Sequence, residues 1–263
     1  SKLKVIGRAG VGIDNIDLQQ STACGVVIMN TPDGNSITTA EHTIAMIMSL
    51  ARKIPAADAS TRLGKWEKSK FIGTEVTGKK LGLIGCGNIG SIVADRAKGL
   101  RMKVAAFDPF LTNEKSKSLG IEKVEINELI ETSDIISIHT PLTDSTRHII
   151  NKDNIKKFKH GAWLINCARG GLIDESGLRD ALDEGYVGGA AIDVFEKEPA
   201  KNNILFGAPN LIVTPHLGAS TKEAQEKVAI QVAEQMVNFL KYGATVNALN
   251  MVAVSSEEAP ILV

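Results

Sequence analysis

Seven short strand-like runs recur along this chain, over 80–85, 103–108, 122–125, 135–140, 162–167, 189–193 and 211–215. They read as continuously apolar rather than alternating, and stretches at helical spacing such as "SIVADRAKGL" and "DESGLRDALDEG" separate most of them. A strand with one wet face alternates apolar and polar residues, whereas a strand covered on both faces does not. The pattern therefore predicts an α/β fold, a doubly wound parallel sheet with helices on both sides.

Upstream, "KVIGRAG", a helix-like "NIDLQQSTACG" and "GVVIMN" read as a separate strand–helix–strand crossover, closed by the turn "TPDGN". Thr38-Thr39-Ala40-Glu41 fits a capping box for the helix "HTIAMIMSLARKI", which Pro55 kinks or ends. A polar, Trp-bearing connection, "RLGKWEKSKFIGTEVTG", leads into the strand series. Ser220-Thr221-Lys222-Glu223 is a second capping box, opening a long amphipathic helix that ends at Gly243. The expected organisation is a dinucleotide-type sheet domain over 33–218, a smaller α/β lobe built from 1–32 plus 219–250, and a tail over 251–263. The chain enters a strand directly after Ser1-Lys2-Leu3-Lys4, which reads as a truncation that leaves the smaller lobe incomplete, with exposed apolar surface and an open edge.

Composition narrows the partners. The net charge is +0 and there are only two Trp and two Tyr, so neither an electrostatic footprint nor a stacking surface for nucleic acid is present. No apolar run approaches the roughly 20 residues of a membrane helix. Cys24, Cys86 and Cys167 are widely spaced with no CxxC pair, so neither a disulfide framework nor a zinc or other metal site is expected. A reducing, cytoplasmic setting fits that usage. The long apolar helix over 39–54 suggests an interface between copies of the chain, as a homodimer or homotetramer, or else core within one domain.

"GLIGCGNIG" carries the first chemistry. It follows a strand and opens a helix, the context in which a GxGxxG pattern becomes informative. Gly85 permits a tight turn, Gly87 lets backbone approach a pyrophosphate, and Gly90 permits close packing of helix on sheet. Asp108 ends the next strand, 18 residues beyond Gly90, where a carboxylate binds ribose hydroxyls and repels a 2′-phosphate. NAD, rather than NADP, is the predicted cofactor.

Oxidation of a hydroxyl by a nicotinamide needs a proton acceptor, most often His at neutral pH. Of five candidates, His42 lies on an apolar helix as a packed or interface residue, His139 belongs to a strand, and His148 and His160 face solvent. His216, in "VTPHLGAS", stands where a strand runs out into a loop, the edge at which open α/β sheets bind ligands. "DVFEKEP" offers Glu196 or Glu198 to orient it. Arg169, in "NCARGG", is the cation suited to a substrate carboxylate.

Together "GRAGVGIDNIDL", "GCGNIG", "NCARGGLID", "AAIDVFEKEP" and "PHLGAST" resemble, in order and from about Lys4 to Asn250, the D-isomer-specific 2-hydroxyacid dehydrogenases. The resemblance implies a Rossmann NAD domain and a catalytic set of Arg169, Glu198 (rather than Glu196) and His216. It implies cofactor contacts from Gly85, Gly87, Asn88, Ile89, Gly90, Asp108, Thr140, Cys167, Ala168, Arg169, Asp193, His216, Gly218 and Ala219. Arg8, Ala9 and Gly10 match a substrate-facing loop whose amides hold a carboxylate, while Val11 departs from the Thr of many relatives. Family members carry an N-terminal portion ahead of "KVIGRAG". The implied substrate is a small 2-hydroxy acid. D-3-phosphoglycerate, oxidised to 3-phosphohydroxypyruvate at the entry to serine biosynthesis, is the first reading. Reduction of hydroxypyruvate or glyoxylate is the alternative within the family. A non-catalytic, NAD-binding corepressor-like protein is the alternative outside it.

Overall fold

The computed structural model describes residues 2–255 and 257–259. By its contacts the chain divides into two units, Ser1–Thr38 with Ala219–Val263, and Thr39–Gly218.

The larger unit is a seven-stranded, wholly parallel sheet. In chain order its strands are β3 (Lys80–Ile84), β4 (Lys103–Phe107), β5 (Glu122–Lys123), β6 (Ile135–Ile138), β7 (Trp163–Asn166), β8 (Gly189–Ile192) and β9 (Leu211–Val213). In space they run β5-β4-β3-β6-β7-β8-β9. The chain builds outward from β3 to one side and then returns to build the other, so the order reverses between β3 and β6.

The period of two along each strand divides the core. Ala105, Ile136, Ile138, Leu164, Ala190 and Ile192 pack on one face, with α6 (Ile126–Thr132) and α7 (Glu175–Asp183). Leu81, Leu83, Val104, Ala106, Ile135, Ile165 and Ala191 pack on the other, with α2 (Ser36–Ala51) and α4 (Asn88–Gly99). That two-sided cover explains the missing alternation. Ile135 to Ile138 are all buried, and truncating a fully buried Ile136 to Ala would cost about 2–5 kcal/mol. β5 departs from the apolar reading. Glu122 and Lys123 are exposed at the sheet edge, where charge discourages pairing with another chain.

Helix ends follow local chemistry. Asp174 caps α7 by accepting from the amides of Ser176 and Gly177, and Thr112 caps α5 (Asn113–Leu119) at the amide of Lys115. Such caps each contribute about 1 kcal/mol. Two expectations shift. α2 starts at Ser36, so Thr38 and Thr39 lie inside it rather than capping it. The connection before β3 holds a further helix, α3 (Ile54–Arg62), with Pro55 in its first turn, where the missing N–H costs nothing. The helix expected over 39–54 buries Met46, Ile47 and Leu50 in this unit's own core, and its other face leaves Ile37 51% exposed. The connection after α3 also exposes apolar side chains, at Leu63 (73%), Trp66 (87%) and Ile72 (74%).

The smaller unit pairs β1 (Val5–Gly7) with β2 (Val27–Met29) in parallel around α1 (Leu18–Ala23). Val5, Val27 and Met29 pack against Met236 and Phe239 of α8 (Lys222–Tyr242). Thr221, not Ser220, caps α8, and Gly243 closes it with φ 75°. The expected tail is tied down over part of its length: Thr245 donates its hydroxyl to the carbonyl of Val252 at 2.6 Å and accepts from the amide of Val254 at 2.9 Å. Residues 256 and 260–263 of that tail lie outside the described residues. Among the described residues no helix is long and apolar enough to cross a membrane.

Candidate active site

All the predicted site residues between 85 and 218 fall at or beyond the carboxyl ends of the sheet strands. Gly85 to Gly90 follow β3, Asp108 follows β4, and Thr140 lies beyond β6. Cys167, Ala168 and Arg169 follow β7, Asp193 and Glu198 follow β8, and His216 follows β9. Because parallel strands share one direction, a single edge gathers residues from across 130 positions of sequence.

The glycine loop fits a pyrophosphate. Gly85 holds φ 96°, and a Cβ there would stand 2.6 Å from the carbonyl oxygen of His139. A Cβ on Gly90 would meet the carbonyl oxygen of Gly85 at 2.4 Å, so α4 sits on the loop at a distance only glycine allows. At Gly87 a Cβ would meet nothing within 4 Å. Gly87 is the N-cap of α4, so the open space beside it adjoins the helix's positive end. Asp108 is fixed beside this loop, since Oδ2 accepts from the amide of Cys86 at 2.7 Å and Oδ1 from that of Phe110 at 2.8 Å. A half-buried carboxylate next to a phosphate cradle suits ribose hydroxyls.

Two of the catalytic candidates meet directly. His216 Nδ1 lies 2.7 Å from Glu198 Oε2, while Glu198 Oε1 accepts from the amide of Phe195 at 3.0 Å. Glu196, the alternative, pairs instead with His148 Nε2 at 2.6 Å. His148 faces solvent as expected, its side chain 42% exposed, and also meets Glu196, so the choice between the two glutamates is geometric. With Nδ1 turned to a carboxylate, Nε2 is the ring nitrogen left to exchange a proton. Arg169 reaches the same neighbourhood through its loop. A Cβ on Gly170 would fall 1.8 Å from the carbonyl oxygen of Phe195, so the β7 exit presses against the segment that carries Glu198. Asn166 shapes that exit, donating to the carbonyl of Arg169 at 2.9 Å and accepting from the amide of Ala168 at 3.0 Å.

Sequence reading missed a hub beneath His216. Asp193 is fully buried, and Thr214 donates its hydroxyl to Oδ1 at 2.5 Å. The amides of Leu217 and Gly218 reach Oδ1 and Oδ2, each at 2.8 Å. His42 Nε2, on α2, lies 3.3 Å from Oδ1. Burial opposes ionisation of Asp193, yet the bonds from His42, Thr214 and the two amides hold its carboxyl below the usual carboxylate range. Cys167 borders the hub, buried, its thiol pushed up to about 12 by burial and by the charge of Asp193. His42, Cys167 and Asp193 offer ligand atoms within 4.8 Å of one another. Four donors already occupy the carboxylate, and the thiol resists ionisation, so the chemistry is that of a hydrogen-bond hub. A cofactor contact from buried Cys167 would have to come through its backbone.

In the smaller unit, the loop after β1 is bound to the segment after β2. Arg8 donates its amide to the carbonyl of Met29 at 2.8 Å, and Asn30 Nδ2 donates to the carbonyl of Val11 at 2.8 Å. The amide of Gly10 donates to Thr31 Oγ1 at 2.7 Å, so it does not present its N–H to a carboxylate as expected. Ala9, next to it, is exposed.

A strand–glycine loop–helix cradle with a carboxylate fixed beside it, on the same sheet edge as a His–Glu pair, is the arrangement of an NAD-dependent dehydrogenase class. Residues 44–218 match the family model "D-isomer specific 2-hydroxyacid dehydrogenase, NAD binding domain", and the chain belongs to that family. Among curated relatives, it is 50% identical over 258 residues to D-3-phosphoglycerate dehydrogenase of Bacillus subtilis, covering 98% of this chain and 49% of that protein. It is 45% identical over 259 residues to the human D-3-phosphoglycerate dehydrogenase, with 98% and 49% covered. The chain thus spans about half the length of the curated relatives it matches. A D-lactate dehydrogenase from Aquifex aeolicus, solved with NAD and lactic acid, superposes with TM-score 0.85 at 30% identity, covering 96% of this chain and 81% of that one. A glyoxylate reductase from Paecilomyes thermophila gives TM-score 0.88 at 33% identity, with 94% and 75% covered.

Proposed function

We propose that this chain belongs to an enzyme that oxidises D-3-phosphoglycerate to 3-phosphohydroxypyruvate with NAD, the step that opens serine biosynthesis. The observation that carries the chemistry is the 2.7 Å contact of His216 with Glu198 at the sheet edge that also bears the cradle. The choice of substrate is supported by the phosphoglycerate dehydrogenase relatives at 45–50% identity. In this reading Gly85, Gly87, Asn88, Ile89 and Gly90 hold the pyrophosphate and Asp108 the ribose. Thr140, Cys167, Ala168, Arg169, Asp193, His216, Gly218 and Ala219 complete the cofactor contacts. NAD, when bound, accepts the hydride lost from the substrate carbon. His216 Nε2 takes the hydroxyl proton, and Glu198 stabilises the imidazolium so formed. Arg169 binds the carboxylate and polarises the reacting oxygen, with a planar fork that Lys lacks. Arg8 and Ala9 are assigned to the substrate carboxylate, with Gly10 contributing shape rather than its amide.

The exposed apolar set Leu63, Trp66 and Ile72 supports a homo-oligomer, which the mass of the chain in dilute solution would test.

The deciding experiment is NADH oxidation by the purified chain, offered phosphohydroxypyruvate, hydroxypyruvate, glyoxylate and 2-oxoglutarate in parallel, with NADH binding followed alongside. Turnover confined to the phosphorylated acid is the expected result. Turnover on hydroxypyruvate or glyoxylate alone would move the assignment to a reductase of the same family. Binding without turnover on any of them would leave the cradle and remove the catalytic reading for this chain.

A further inference from the structure

His216 holds φ 56°, a left-handed conformation that costs a non-glycine residue on the order of 1–2 kcal/mol and persists only where the surroundings impose it. What imposes it here is one residue. The amide of His216 donates to the carbonyl of Asp193 at 2.8 Å, and the next two amides, Leu217 and Gly218, donate to its carboxylate. Three consecutive N–H groups therefore converge on Asp193. The arrangement requires both carboxylate oxygens to be acceptors, that is, an ionised group at full burial.

A buried carboxylate stays ionised only if donors fill its oxygens. Three of its donors come from the β9 exit itself: the hydroxyl of Thr214 and the amides of Leu217 and Gly218. The fourth donor, His42, approaches from a different element, α2. Its Nε2 is also 3.4 Å from Thr214 Oγ1. Since Thr214 already gives its proton to Asp193, the ring nitrogen between them must bear a hydrogen. A proton taken up by Asp193 instead would turn one acceptor oxygen into a donor facing an amide, and the loop would lose its hold.

We propose that His42 is a positioning residue, which keeps Asp193 a full acceptor and thereby fixes the backbone at 216–218 that presents His216. The catalytic part of this inference rests on His216 as the acid–base group; the structural part does not.

Three variants separate the role from packing: His42→Gln keeps an N–H at similar reach, while His42→Leu and His42→Met keep only bulk. Amide hydrogen exchange across 214–219 is expected to quicken about 10-fold or more in His42→Leu and His42→Met, and to return toward the parent rate in His42→Gln. In the reduction assay kcat should fall about 10–100-fold in the Leu variant, the worth of one charge-assisted bond, with KM for the 2-oxo acid little changed and with recovery in the Gln variant. Unchanged exchange in His42→Leu overturns the proposal. So does rescue by Met but not by Gln, which would make His42 a packing residue. If the parent chain has no turnover, the dehydrogenase reading fails for it, and the exchange measurement still decides the positioning role.

Discussion

At the scale of single residues, His216 is held at two atoms, Nδ1 by Glu198 and the backbone N by Asp193, and the two amides that follow bind the same aspartate. His216→Ala is expected to lower kcat by roughly 10²–10⁴-fold, the usual worth of a general acid–base group, while leaving NADH affinity within a few-fold. Steady-state kinetics with a parallel binding titration checks both. Parent-like turnover in that variant would remove the assignment. The proposed role of Asp108 bears on selectivity instead of rate. A carboxylate at the ribose repels a 2′-phosphate, so Asp108→Ala should narrow the preference for NADH over NADPH, read as the ratio of their dissociation constants; an unchanged ratio argues against the ribose role. These candidates were legible in sequence because each residue sits next to punctuation, a glycine, a proline or a strand end. His42 was not legible. It has no such neighbour, and a lone His on an apolar helix gives no sign that the helix passes beneath a catalytic loop. The same holds for the Gly10 amide, whose partner Thr31 lies 21 residues away.

At the scale of elements, strand order and two-sided cover follow from the apolar runs, and the structure shortens those runs at their carboxyl ends. Strands expected to reach 85, 108, 140 and 193 stop at Ile84, Phe107, Ile138 and Ile192. The residues released from the ladder include the proposed cofactor contacts Gly85, Asp108, Thr140 and Asp193, so the excess read from sequence coincides with the candidate site. α3 was hidden because its residues are mostly polar or small and none is buried. The contact between the β7 exit and the β8 exit has a sharp mutational test. At Gly170 the obstructing atoms are backbone of Phe195, with no side chain to swing aside. Gly170→Ala should therefore destabilise the fold by about 1–3 kcal/mol or prevent it, and displace Glu198 from His216. Denaturant unfolding measures the first effect. A parent-like midpoint would mean that the two exits can separate freely.

At the scale of the whole molecule, stability should depend on pH through groups that the fold keeps neutral or charged against their preference. Burial pushes the His139 imidazole down to about 4 from 6.5, beside the hydroxyl of Ser137 at 2.8 Å. The folded state thus binds its proton less readily than the unfolded chain. Its contribution is complete above about pH 6.5 and is lost as pH falls toward 4, roughly 3 kcal/mol in all. Asp193 and Asp134 also titrate below their ordinary range when folded, so their contributions fade at still lower pH. Urea midpoints between pH 7 and pH 4 should fall steeply, and less so in His139→Asn. Equal slopes for parent and variant would place the loss elsewhere.

The smaller unit is made from both ends of the sequence. Asn250 accepts from the amide of Ile28 and donates to Thr22 and to the carbonyl of Val26, so β2 waits for residues synthesised more than 220 positions later. For an open chain, closing such a loop costs roughly 5 kcal/mol of entropy. The larger unit removes most of that cost in advance. Its first and last residues, Thr39 and Gly218, lie side by side, with Thr39 Cγ2 3.4 Å from where a Gly218 Cβ would stand. Once the sheet has folded it works as a clasp, and the two flanking segments emerge from it tethered at high effective concentration. Assembly of the smaller unit then becomes a local search, slow only while the clasp is open.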